Sequence, residues 1–174
     1  MSTADKSSEA ADRRELTISA IVLGLILAVV MGAANVYLGL KAGMTVSASI
    51  PAAVIAMGIL QGVLRRGSIL ESNLVQTSAS AGESLAAGII FTVPALVLVG
   101  VWQGFNYWTT TLIAFTGGLL GVLLMIPMRR VFVVDNPELR FPEGLACAEV
   151  LRAGQGGGSG TADVFSGLAV GALF

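Results

Sequence analysis

Asn73, Gln76, Ser80 and Glu83 recur at intervals of three, four and three within NLVQTSASAGESLAAG. On a helix this spacing lines two amides, a hydroxyl and a carboxylate along one face. Leu74, Val75, Ala79, Gly82 and Ala86 take the opposite side. The stretch then runs without a turn signal into IIFTVPALVLVGVW, which is apolar enough for lipid. A carboxylate at the membrane centre costs at least ~2.5–3.5 kcal/mol. It must face a wet cavity, pair with a partner, or stay protonated. A glutamate that alternates between those states can carry a proton across a membrane. The plainer reading has Glu83 at the headgroups, where it only positions its helix.

Three other polar residues stand in apolar surroundings. Asn35 interrupts a hydrophobic run, and an amide inside a span calls for a hydrogen bond from another helix. Lys41, between Gly39 and Gly43, is either a snorkelling end cap or part of a path. Glu143 follows Pro142 at the start of a short helix, where proline and acids are favoured. That helix reads either as an amphipathic surface element or as the inner mouth of a transport route. Its Glu149 and Arg152 are spaced to pair, and Cys147 lies among small apolar residues that favour packing over reactivity.

The elements that must position these groups follow from composition. The chain is 55% apolar and 12% charged, about half the charge of an average soluble chain. Mean hydropathy is +0.83. These values specify an all-α, polytopic transmembrane helix bundle. A net charge of -1 offers no basic surface for nucleic acid. With no histidine and one cysteine, neither an internal disulfide nor a His/Cys metal site is expected, and no cofactor is called for.

A span needs about 20 apolar residues. The spans are expected near 18–37, 46–64, 84–101 and 109–128, with an amphipathic or re-entrant helix over 69–83 before the third. From Asn73 to Val101 the run is too long for one straight upright span. The small residues around Gly82 favour close contact or a break, and Pro94 would free a carbonyl near Ile90. A broken helix is tolerated in lipid only where protein or a wet cavity surrounds it, and transporters build sites from such breaks. Trp102 to Trp108 marks an interface between the third and fourth spans. Gly24, Ala28 and Gly32 form a packing stripe on the first span, and Gly117 and Gly121 another on the fourth.

Of the ten Lys and Arg residues, Lys41 alone falls on one side of this topology. The positive-inside rule then puts the N-terminus, the 65–72 connection and the 129–161 connection in the cytoplasm. Residues 1–15 are polar and expected to be disordered, and the glycine run at 154–160 reads as a linker. An apolar segment from residue 162 starts a fifth span. The whole is expected to be the N-terminal piece of a longer multi-pass protein of the cell membrane, most simply a bacterial inner membrane.

Three segments resemble the oligopeptide transporter superfamily, which includes the yellow-stripe-like metal-chelate transporters. They are NVYLGLKAGMTVSASIPAAV, ILESNLVQTSASAGESLAAGIIFTVPAL and LRFPEGLACAEVLRAG. The resemblance covers roughly Gly32 to Gly154. It implies a secondary transporter that imports small peptides or peptide-like metal chelates, driven by protons. Asn35, Tyr37, Gly39, Lys41 and Gly43 fall in the first segment, Glu83 in the second, and Pro142, Glu143 and Gly144 in the third. Family members have many more spans, so lipid and the remaining C-terminal spans are expected partners. Two rivals stand beside this reading. A membrane-embedded enzyme would need a nucleophile with a base, and Ser78 and Ser80 have no recognisable one. A non-transporting assembly subunit would insert and bind a partner without moving cargo.

Overall fold

The computed structural model describes residues 16–64, 67–155, 166–167 and 169–171. The N-terminal segment, Arg65 and Arg66, the linker from 156 and most of the expected fifth span lie outside the described residues. Within them the chain is helical, as expected of a membrane helix bundle. Helix α1 is Ile18–Ala42. Helix α2 is Ser49–Met57 and continues as a π-helical stretch, Gly58–Val63. Helix α3 is Ile69–Leu98, α4 is Tyr107–Arg129 with a π-helical tail Arg130–Val134, and α5 is Pro142–Gln155.

Among the described residues, three helices are long and apolar enough to cross a membrane: Ile18–Ala42, Ile69–Leu98 and Tyr107–Val134. The expected second span is shorter than 46–64, because residues 44–48 are not helical and α2 starts only at Ser49. Residues 69–98 form one element, so the amphipathic piece and the span after it are continuous. Pro94 sits inside this helix without ending it.

Local chemistry explains the ends. Thr17 caps α1 by accepting from the Ala20 amide, and Gly43 closes it with a φ of 70°, a conformation glycine adopts without a Cβ clash. Ser68 and Glu71 form a reciprocal capping box at the start of α3, satisfying two otherwise orphaned donors. Asn106 caps α4 through the Thr109 amide. The turn between α3 and α4 falls on the expected aromatic segment, where Tyr107 and Trp108 pack edge to face at 5.5 Å.

The core is made of small side chains. Ala20, Leu27, Ala52, Ala56, Leu60, Val75 and Ala79 join α1, α2 and α3 in one buried cluster. Gly24 faces Val75 and Ser78, Gly32 faces Gly82, and Gly39 faces Ile90. Residue numbers rise together along that seam, so α1 and α3 run parallel. Helix α2 runs the opposite way, with Ser49 beside Ser80 and Leu60 near Gly67. Helix α5 lies along α2: Glu143 meets Ser47 at one end, and Leu151 packs on Ala53 and Met57 toward the other. None of α4 is buried.

Along the α1–α3 seam, the glycine whose Cβ would meet the other helix's backbone most closely is Gly82. A Cβ there would come within 2.6 Å of the Ala28 carbonyl oxygen and 2.8 Å of its Cβ. Backbone cannot move aside as a side-chain tip can, so the helices would have to separate. Gly82→Ala should cost about 1–3 kcal/mol, as overpacking does. Gly88→Ala, where nothing lies within 4 Å, should be neutral or slightly stabilising. Thermal melting of both variants in the full-length protein checks the contrast.

Candidate functional site

Asn35 and Glu83 meet across the α1–α3 seam. The Asn35 Nδ2 donates to Glu83 Oε1 at 2.7 Å, and the backbone N–H of Val46 donates to Asn35 Oδ1 at 3.0 Å. Both side chains are buried, at 3% and 8% exposure. A backbone N–H can only donate, so Val46 requires the oxygen of Asn35 and turns its NH2 toward the carboxylate. The amide orientation is thus fixed by chemistry. The partner of the buried carboxylate is an amide rather than a cation.

Val46 belongs to the irregular segment between α1 and α2, and that segment gathers the remaining polar groups. Ser47 Oγ donates to Glu143 Oε1 at the start of α5. Ser47 and Ser49 hydroxyls lie 3.4 Å apart, and Ser49 Oγ is 3.1 Å from Ser80 Oγ on α3. So Asn35 of α1, Ser80 of α3 and Glu143 of α5 each bond to a residue within 46–49. The Ser47 hydroxyl, then that of Ser49, holds the Glu143 carboxyl below its ordinary value, partly offset by burial. Burial, and then the charge of Glu143, pushes the Cys147 thiol up, which keeps it protonated and unreactive.

The seven sequence candidates separate into groups. Asn35, Ser80 and Glu143 bond to residues 46–49, and Glu83 is joined to them through Asn35. Asn73 and Gln76, lower on the same stripe, instead line an open groove of about 320 Å³ against Gly144, Cys147, Ala148, Leu151 and Arg152 of α5. Lys41 lies at the far end of α1, with Nζ 3.0 Å from Tyr37 Oη and 5.3 Å from its ring centre. Glu149 and Arg152 pair at 2.8 Å on the exposed side of α5. Ser47, Ser49 and the Val46 amide were not candidates from the sequence. Their signal is the small polar run MTVSAS after Gly43, which has no helical periodicity to set it apart.

The family profile described as OPT oligopeptide transporter protein matches residues 15–174. The chain belongs to the oligopeptide transporter family. A Haemophilus influenzae protein named as a candidate oligopeptide transporter is 50% identical over 133 residues, which is 75% of this chain. The chain corresponds to 20% of that relative's length. No solved structure matches the chain. In this family member the three motif-bearing segments, far apart in sequence, are the ones that meet at residues 46–49.

Removing Asn35 leaves a buried carboxylate and the part-buried N–H of Val46 both short of a partner. Asn35→Ala should therefore cost at least about 1–3 kcal/mol. Equilibrium unfolding of the full-length protein in mixed micelles measures it. A loss below about 0.5 kcal/mol would mean that water replaces both bonds.

The contact of Glu143 with Ser47 favours the ionised carboxylate, so its contribution is complete above the ordinary carboxylate value of 4.5. It is lost as pH falls through the lower value of the folded state. Amide hydrogen exchange over 142–147 should quicken at acid pH. Glu143→Gln should produce much of that quickening at neutral pH.

Proposed function

We propose that this chain forms part of a secondary transporter that imports small oligopeptides through a multi-pass cell membrane, coupled to protons. Peptide-like metal chelates are the second cargo class the family resemblance admits. The observation that carries the reading is the buried Glu83, held by Asn35 at a point where helical backbone gives way to an irregular segment. Non-helical backbone at membrane depth is tolerated where it lines a cavity, and transporters place substrate and ion sites at such interruptions. The name of the Haemophilus influenzae relative, of which this chain covers a fifth, supports peptide as cargo. The N-terminus is taken as cytoplasmic, from the distribution of Lys and Arg.

In this cycle Glu83 takes a proton from the outer side, is neutral while enclosed, and releases it inside. The Asn35 bond survives both states, because the carboxyl oxygen facing Nδ2 accepts in either. Proton binding therefore changes the charge of the site without dismantling it. Asn73, Gln76 and the groove along α5 form the inner part of the path, and Lys41 stands at its outer end. The rest of the transporter and lipid cover the apolar surfaces of α1 and α4.

Uptake of trialanine by the full-length transporter carrying Glu83→Gln tests the coupling. Accumulation against a gradient should disappear while downhill exchange persists, since glutamine keeps the shape and the acceptor oxygen. Undiminished proton-driven accumulation in that variant would remove Glu83 from the coupling step.

A further inference from the structure

The coupling reading leaves open how a proton reaches a carboxylate enclosed by two helices. Three hydroxyls supply an answer. Ser80 lies one helical step below Glu83 on the polar face of α3. Side chains three apart on a helix are neighbours, with Cβ atoms about 5–6 Å apart, a gap that one water spans. From Ser80 the spacing is 3.1 Å to Ser49 and 3.4 Å on to Ser47, which bonds to Glu143. Glu143 is exposed, while Ser49 is 4% and Glu83 8% exposed. A buried acid and an open one are thus joined by hydroxyls drawn from α3, the start of α2 and the irregular segment.

We propose that Ser80, Ser49 and Ser47 form a proton relay between Glu83 and Glu143. The proposal rests on Glu83 being the coupling carboxyl. Protonated Glu83 gives its proton through one water to the Ser80 oxygen. Ser80 passes its own hydroxyl proton to Ser49, Ser49 to Ser47, and Ser47 to ionised Glu143. Each hydroxyl gains one proton and loses one. One O–H bond breaks at Glu83 and one forms at Glu143, and the negative charge moves the other way. Rotation of the three hydroxyls resets the chain.

No competing acid or base interrupts the route among the described residues. Glu83 is faced by Asn35 from α1. Glu143 is faced by Ser47 and Ser49, with Cys147 beside it on α5. Lys41 is engaged with Tyr37. Serine suits the role because its hydroxyl both donates and accepts and turns freely.

The test needs no cargo. In the purified full-length transporter, a pH jump followed by time-resolved infrared absorption reports the C=O stretch of protonated carboxyls. The band lost in Glu83→Gln is that of Glu83. Ser49→Ala and Ser80→Ala should slow its appearance by about tenfold or more, in the range of a lost proton-transfer group. Ser49→Thr and Ser80→Thr, which keep the hydroxyl, should restore the rate. If the Glu83 band appears at the normal rate in both alanine variants, the relay is wrong and Glu83 as coupling group still stands. If Glu83→Gln removes no band, Glu83 does not change protonation and both readings fall. Slowing in the threonine variants equal to that in alanine would also overturn the relay, because a packing defect would then explain the effect.

Discussion

The orientation of one amide group holds this structure together. Asn35 has two polar ends, and each has a partner that only one end can serve. Val46 supplies a donor and takes the oxygen; Glu83 supplies an acceptor and takes the nitrogen. These two bonds tie α1 to α3 and bring the chain after Gly43 back down along α1 instead of letting it leave the bundle. Had the amide been an aliphatic side chain, Glu83 Oε1 and the Val46 N–H would each lose the partner they have here. An amide gives the buried carboxylate a hydrogen-bond partner without adding a second charge.

That return of the chain sets the level at which α2 begins. Ser49 stands beside Ser80, about 16 Å along α3 from its start at Ile69. Helix α2 is short because the segment before it is used as irregular backbone. Ser47 in that segment meets Glu143, and Ser49 at the start of α2 meets Ser80, so α5 begins at this same level, with Leu151 packed further along it. Within the irregular segment the Val46 N–H is satisfied by the side chain of Asn35 on α1.

The sequence showed the fold class and the carboxylate readily, and showed less of what surrounds them. Long uncharged runs marked α1, α3 and α4 because lipid demands length, and length is countable. Glu83 was conspicuous because its cost is high. Asn35 drew notice for the same reason, yet nothing in its spacing named Glu83, which lies 48 positions away. The stripe from Asn73 to Glu83 was legible as a face but not as a division of labour. Its two ends meet different helices, because they lie about 15 Å apart along the axis. Pro94 suggested a break that the helix does not make. Ser47 and Ser49 carried no signal of their own: serine in a small-residue run reads as packing, and only the fold puts those hydroxyls between two acids.

Packing and chemistry are linked through the small residues. An Asn amide reaches only a few ångströms from its backbone, so a 2.7 Å bond to a glutamate on the neighbouring helix requires the two axes to lie close. Gly32, Gly39 and Gly82 remove the side chains that would hold α1 and α3 apart. Lipid gives no hydrophobic reward for bringing helices together, so close backbone contact must come from this surface fit and from interhelical hydrogen bonds. The two reinforce one another. The glycine seam sets the distance at which Asn35 can satisfy Glu83, and the Asn35–Glu83 bond, expensive to leave unmade, rewards the seam for closing. Glycine abundance, which would weaken a soluble helix, is therefore part of how this chain keeps an acid buried between two helices.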